Sequence, residues 1–280
     1  MNKSDRYHID ILTNIMDNGM WDKNPRPKYK DGVSAHTLSI NGIFTQYDLN
    51  KNEFPFHTLR PIAWKSAIKE ILWIYQDQTS DLSVLREKYN ITWWDQWESK
   101  EMPGTIGQRY GATVKQHDLM NKLLDGLITN PNGRRHIMNL WQEEDFIESD
   151  GLMPCCYETL WNVRGNFLDM TLVQRSSDFI TAGAINEIQY VALQLMVAKH
   201  CGYIPGRFSH LLNNVQIYDR HLTSVMEILE RTPLPQYPVL VLCTDKTNFY
   251  DFTIDDFKVL NYNIDMVRKK NPQMSFELAI

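Results

Sequence analysis

The sequence predicts an α+β fold in which a large mixed or antiparallel sheet packs against long helices. Three observations predict it: candidate hairpins, long stretches of helical apolar spacing, and no regular strand–helix–strand alternation. The 280 residues show no repeat, low-complexity tract or linker-like stretch, so residues 1–280 read as a single domain.

A short amphipathic helix opens the chain. Residues 37–40 and 43–47 then flank Asn41-Gly42, the dipeptide that most readily supplies the two positive φ angles of a tight turn, which predicts a hairpin. From Trp64 onward, Ala67, Ile68, Ile71, Leu72 and Tyr75 fall on one helical stripe with Glu70 at its border. Residues 157–163 and 167–173 read as a second hairpin turning on Arg164-Gly165-Asn166. Asn186 is placed to open a helix whose buried face carries Ile188, Val191, Ala192, Leu195 and Ala198 and which stops at Gly202. Strands at 208–218 and 238–243 follow.

Lys and Arg number 29 against 34 Asp and Glu, a formal net charge of -5, which offers no general attraction to nucleic acid or anionic lipid. The amino-terminal residues lack a signal-like apolar core and no apolar run is long enough to span a bilayer, so a cytoplasmic protein without membrane partners is expected. Four cysteines without CxxC spacing argue against a disulfide scaffold and a structural zinc site, leaving a reduced, metal-free protein as the default.

Met153-Pro154-Cys155 leads from polar sequence into a strand, where a thiol can face a cleft; Arg175, at the end of the neighbouring strand, is a cation that pairing would bring near it. The plain alternative is a small buried hydrophobe. Arg134-Arg135 offers paired planar forks suited to a phosphate, although two surface arginines are usually just solvated. Asn186 alone reads best as a helix cap, Glu70 as an exposed helix residue or a carboxylate poised for proton transfer, and Trp93-Trp94-Asp95-Gln96-Trp97 as core.

In order along the chain, several segments carry a common signature: Lys69-Glu70-Ile71-Leu72-Trp73, Trp94-Asp95-Gln96-Trp97 and Gly107-Gln108-Arg109-Tyr110-Gly111, then Gly133-Arg134-Arg135 and Met153-Pro154-Cys155. Gln174-Arg175-Ser176-Ser177-Asp178, Asn186, Ile217-Tyr218, Asp255-Asp256-Phe257 with Asn261-Tyr262, and the final Leu278-Ala279-Ile280 continue it. This ordered set resembles the thymidylate synthase family, of the thymidylate synthase / pyrimidine hydroxymethylase superfamily, over nearly the whole chain.

The resemblance implies a sheet-mediated homodimer that methylates dUMP at C5, with 5,10-methylenetetrahydrofolate as carbon and hydride donor and no metal. Cys155 would add to uracil C6, and Arg175 would stabilise the thiolate and bind phosphate beside Ser176. Arg134 and Arg135 would reach the same phosphate from the other subunit. Asn186 would read the uracil edge, while Glu70 and Tyr110 would organise proton transfer. Ser177, Asp178, Gln216, Tyr218 and Lys30 would complete the nucleotide contacts; Asp178, Trp94, Trp97, Arg60 and Ala279 would bind or cover the folate, Arg60 near its glutamate tail. Gln216 stands where the family usually has a ribose-binding His, Cys156 where His is common, and Thr181-Ala182-Gly183-Ala184-Ile185 departs from the usual run before Asn186. The usual phosphate-binding Arg of the amino-terminal loop has no clear match, Lys30 being the nearest cation. The same resemblance admits two rivals: a dUMP hydroxymethylase, in which water captures the methylene, and a catalytically silent nucleotide- or folate-binding homologue.

Overall fold

The computed structural model describes residues 1–280. Helix α1 (Lys3–Asn18) starts at a reciprocal cap, the Asn2 side chain accepting from the Asp5 amide and the Asp5 carboxylate from the Asn2 amide. Strand β1 (Met20–Trp21) then pairs with β2 (Thr37–Asp48).

The hairpin expected at Asn41-Gly42 does not form. β2 is one strand, antiparallel throughout to β6 (Ile204–Tyr218), with Asn41 opposite Asn214 and Ile43 opposite Leu212. A two-residue turn needs positive φ at both central positions; Gly42 has it, at 77°, and Asn41 does not. The glycine takes its positive φ within a continuous register, and the long ladder to β6 overrides the turn preference.

Helices α2 (Trp64–Tyr75), α3 (Leu82–Glu87), α4 (Gly111–Gln116) and α5 (Leu119–Thr129) lead to edge strand β3 (His136–Asn139) and to α6 (Glu143–Glu148). The second hairpin forms as the sequence predicts: β4 (Cys156–Arg164) and β5 (Phe167–Asp178) are antiparallel, Arg164 opposite Phe167. A π-helical turn, Phe179–Gly183, then runs into α7 (Ala184–Cys201), which crosses back so that β6 lies parallel to β5. The sheet order is β1-β2-β6-β5-β4-β3, mixed through that single parallel pair. Helix α8 (Leu222–Glu230), the ladder of β7 (Val239–Leu242) with β8 (Phe257–Leu260), and α9 (Ile264–Lys270) complete the chain.

Helix α7 differs from expectation in two ways. It starts before Asn186, at Ala184, because the π-turn feeds it directly; Asn186 lies inside the first turn rather than at the cap. Every residue from Glu187 to Ala198 is buried, so no solvent face exists. Its end is as read: Gly202 takes φ 76° and its amide donates to the Ala198 carbonyl. The main core joins α2, α7 and the inner side chains of β4, β5 and β6, and Glu70 on α2 is drawn into it.

Candidate active site

Cys155 immediately precedes β4, and the segment carrying it is tightly held. Arg109, 2% exposed, donates to the carbonyls of Gln108 at 2.9 Å, Asp145 at 2.6 Å and Ser149 at 2.7 Å, tying residues 145–149 to the start of α4. Next to it Tyr110 adopts φ 50° and ψ -106°, a strained conformation for a bulky residue that costs about 1–3 kcal/mol. That backbone brings the Tyr110 hydroxyl to accept the Cys155 N–H at 3.2 Å.

Arg175 on β5 reaches the same segment. Its Nε donates to the Pro154 carbonyl at 2.9 Å, its Nη2 to the Met153 carbonyl at 2.8 Å, and its backbone N–H to the Cys155 carbonyl at 2.9 Å. Nη2 lies 3.7 Å from Cys155 Sγ, and the guanidinium rests on the Trp141 ring. Two effects of opposite sign act on the sulfur: burial pushes the Cys155 thiol up, and the Arg175 cation pulls it down by less. Arg175 thus acts on the thiol in the expected direction, against the larger effect of desolvation.

Burial raises the Glu70 carboxyl to about 7. Trp93 Nε1 donates to its Oε2 at 2.5 Å. The N–H groups of Gln189 and Trp94 also pull this carboxyl down, but both stop short of a formed hydrogen bond. Trp94 stands edge-on to Tyr110 at 5.1 Å and to Trp97 at 5.5 Å, which links the carboxylate, the phenol and the thiol in one cluster. Asn186, half-buried, accepts from Gln174 Nε2 at 3.2 Å and donates to Gln189 Oε1 at 2.9 Å. One acceptor lone pair and one N–H of its amide remain free.

The sheet register aligns the second half of the site. Ser176 sits opposite Asn214 and Asp178 opposite Gln216 along the parallel ladder, and Gln216 and Tyr218 face Ser39 and Thr37 on β2. Burial raises the Asp178 carboxyl, with His221, Thr181 and Arg60 opposing it, and Asp178 Oδ1 and Ser177 Oγ are buried without partners. Burial, with Asp178 adding to it, pushes the Tyr218 hydroxyl up to about 12; Arg26 opposes the rise and Cys155 also acts on it.

The carboxyl terminus is folded over this region. Ile280 and Lys28 exchange backbone hydrogen bonds at 2.8 and 3.0 Å, Ala279 packs on Tyr29, Ala35 and Tyr218, and Arg220 donates to both Asp31 and Glu277.

Four expected residues are placed apart from this cluster. Arg60 is buried and turned inward, donating to the Ile180 and Thr181 carbonyls at 2.6 and 3.2 Å under the Phe276 ring; it braces the π-turn beside Asp178 and does not face a solvent-borne tail. Lys30 is exposed and unpaired, whereas Arg26 of the same loop is the cation that acts on Tyr218. Arg134 and Arg135 are exposed ahead of β3, whose His136 pairs with Trp161 at the other end of β4. Six residues of strand separate that point from Cys155, about 20 Å.

The sequence did not single out Gln189 or Arg26, and it read Trp93 only as core. Gln174 and Arg109 lay within quoted segments but carried no role of their own, because a buried amide or guanidinium acquires its partners from distant elements.

The thymidylate synthase family model matches residues 6–276. Thymidylate synthases of Lactococcus lactis subsp. lactis and of Streptococcus suis are 48% and 50% identical over 286 and 285 residues, covering all of both chains in each comparison. The solved structure of a thermostable thymidylate synthase A from Bacillus subtilis superposes with a TM-score of 0.89 at 33% identity, covering 99% of each chain. With sequence and fold in agreement, the chain belongs to the thymidylate synthase family.

Proposed function

We propose that this enzyme converts dUMP to dTMP, taking the one-carbon unit and the hydride from 5,10-methylenetetrahydrofolate and releasing dihydrofolate. The observation that carries the proposal is the joining of Cys155, with Arg175 against its sulfur, through Tyr110 and Glu70 to an Asn186 amide that keeps one donor and one acceptor free.

Cys155 Sγ adds to uracil C6, which places negative charge on C5 and O4 and makes C5 a nucleophile toward the methylene carbon. Asn186 accepts from N3–H and donates to O4, a pattern cytosine does not offer. Glu70, with a carboxyl near neutrality, exchanges protons at O4 and C5 with Tyr110 beside it. Arg175, Ser176 and Arg26 are the phosphate ligands available within one chain. The folate site fits the residues present: the Trp94–Trp97 pair offers aromatic faces, and the unpartnered Asp178 Oδ1 suits an N–H donor of a pterin. Ala279 and the Arg220 contacts hold the terminus over the site, excluding water from the methylene intermediate, which favours hydride capture over hydroxymethylation.

Supplying dUMP and methylenetetrahydrofolate is expected to give dTMP by mass and an equal amount of dihydrofolate by its absorbance. Hydroxymethyl product without dihydrofolate would replace this reading with the hydroxymethylase, and binding without product with the silent homologue.

Arg134 and Arg135 complete the phosphate site of a second copy, which is why they stand so far from Cys155 in one chain. Mixing inactive Cys155→Ser with inactive Arg134→Glu/Arg135→Glu is expected to restore roughly a quarter of wild-type activity, because half the dimers are mixed and each carries one intact site. No recovery after subunit exchange contradicts the shared site.

A further inference from the structure

A polar chain runs from the interior of the sheet to Asn186, and nothing in the mechanism above uses its inner half. Thr45 and Tyr47 on β2 donate to Glu187 at 2.7 and 3.1 Å; Glu187 Oε1 faces His210 Nδ1 at 3.4 Å; His210 Nε2 meets Gln174 Oε1 at 2.9 Å. Gln174 Nε2 then donates to Asn186 Oδ1, and Asn186 Nδ2 to Gln189 Oε1. All but Asn186 are buried, Glu187 6% exposed and His210 0%.

We propose that His210 and Glu187 are positioning residues that lock the amide of Asn186 in the orientation that selects uracil over cytosine. The inference rests on the function proposed above and deepens it.

The polarity of the chain has one physical solution. Gln174 also donates to the Ser176 carbonyl at 2.9 Å, and a carbonyl oxygen only accepts, so the Gln174 atom turned that way is the amide nitrogen. Its oxygen must then face His210, whose Nε2 carries the proton. The second N–H of Gln174 points at Asn186, which has to present its oxygen. The free lone pair of Asn186 lies beside that oxygen and the free N–H at the other end, matching the N3–H and O4 of uracil. Cytosine reverses both groups. Without the His210 donor, Gln174 Oε1 has no partner and its amide can turn; Asn186 then loses one of the two contacts that distinguish its ends, leaving only Gln189. Behind the ring, Glu187 Oε1 lies 3.4 Å from Nδ1 and is itself held by the Thr45 and Tyr47 hydroxyls, which fixes the wall against which the imidazole packs. A buried histidine and carboxylate are costly to keep as packing alone, since apolar residues of similar volume fill such a space at no loss.

Dissociation constants for dUMP and dCMP, with kcat and KM for dUMP, test the proposal. His210→Leu is expected to lower the preference for dUMP over dCMP by on the order of tenfold, raising KM for dUMP more than it lowers kcat. His210→Gln, whose amide N–H can replace the donor, is expected to recover most of the preference. Thr45→Val, an isosteric change at the far end, shifts the preference in the same direction by a smaller factor and remains informative if His210→Leu fails to fold. An unchanged preference in the folded variants, or equal weakening of both nucleotides, overturns the proposal. A wild-type protein that makes no dTMP instead overturns the function on which it rests.

Discussion

Cys155→Ser is expected to abolish turnover, by more than about four orders of magnitude, and to form no covalent complex with 5-fluoro-dUMP and methylenetetrahydrofolate. A serine hydroxyl ionises far less readily than a thiol, and Arg175 at 3.7 Å already falls short of offsetting the burial of the sulfur. A harder nucleophile in the same place therefore finds no base to activate it. The backbone supports survive the change, because Arg175 holds the Met153 and Pro154 carbonyls and Tyr110 holds the Cys155 amide. Stability is expected to stay within about 1 kcal/mol of wild type, so loss of trapping reports chemistry. Mass spectrometry of the ternary mixture checks it: wild type gains the mass of nucleotide plus folate and the serine variant gains nothing. A serine variant that still traps the inhibitor removes Cys155 from the mechanism.

Glu70→Gln should make the protein more stable and less active at once. The folded-state carboxyl sits at about 7 against 4.5 in the open chain, because burial penalises the ionised form. The neutral acid's contribution to stability is complete below pH 4.5 and is lost as the pH rises through 7, on the order of 3 kcal/mol in all. Glutamine carries no such penalty. Denaturation midpoints of variant and wild type should converge near pH 4.5 and separate above pH 7, the variant being the more stable. Turnover should fall by about 10²- to 10³-fold, the range for losing a positioned acid–base group. Parallel stability curves across this range would mean that Glu70 does not titrate where its surroundings place it.

How far the sequence alone leads depends on how local each feature is. Arg164-Gly165-Asn166 makes its turn from its own residues and was readable, as was Gly202 ending α7. Asn41-Gly42 was misread because its neighbours are decided on β6, far along the chain, where pairing outweighs a turn preference. The ordered motifs pointed to Cys155, Arg175, Tyr110, Glu70 and Asn186; Tyr110 and Arg175 touch Cys155 directly, while Glu70 and Asn186 bond to Trp93, Gln174 and Gln189. They did not reveal that Arg60 turns inward or that Arg26 rather than Lys30 acts on Tyr218, since orientation is settled by tertiary packing. Nor did they distinguish Gln174 and His210, whose importance lies wholly in what each touches.

The partnership of β2 with β6 also governs how the polypeptide can be made. Thr37 finds its mate in Tyr218 and Asp48 in Arg207, so β2 leaves the ribosome roughly 160–180 residues ahead of its neighbour, a delay of about 10–30 s at cellular rates of translation. Throughout that interval the open edge of β2 and the Tyr47 side chain that the finished fold buries have no cover, and the nascent protein depends on chaperones or on speed to reach the end of synthesis unaggregated.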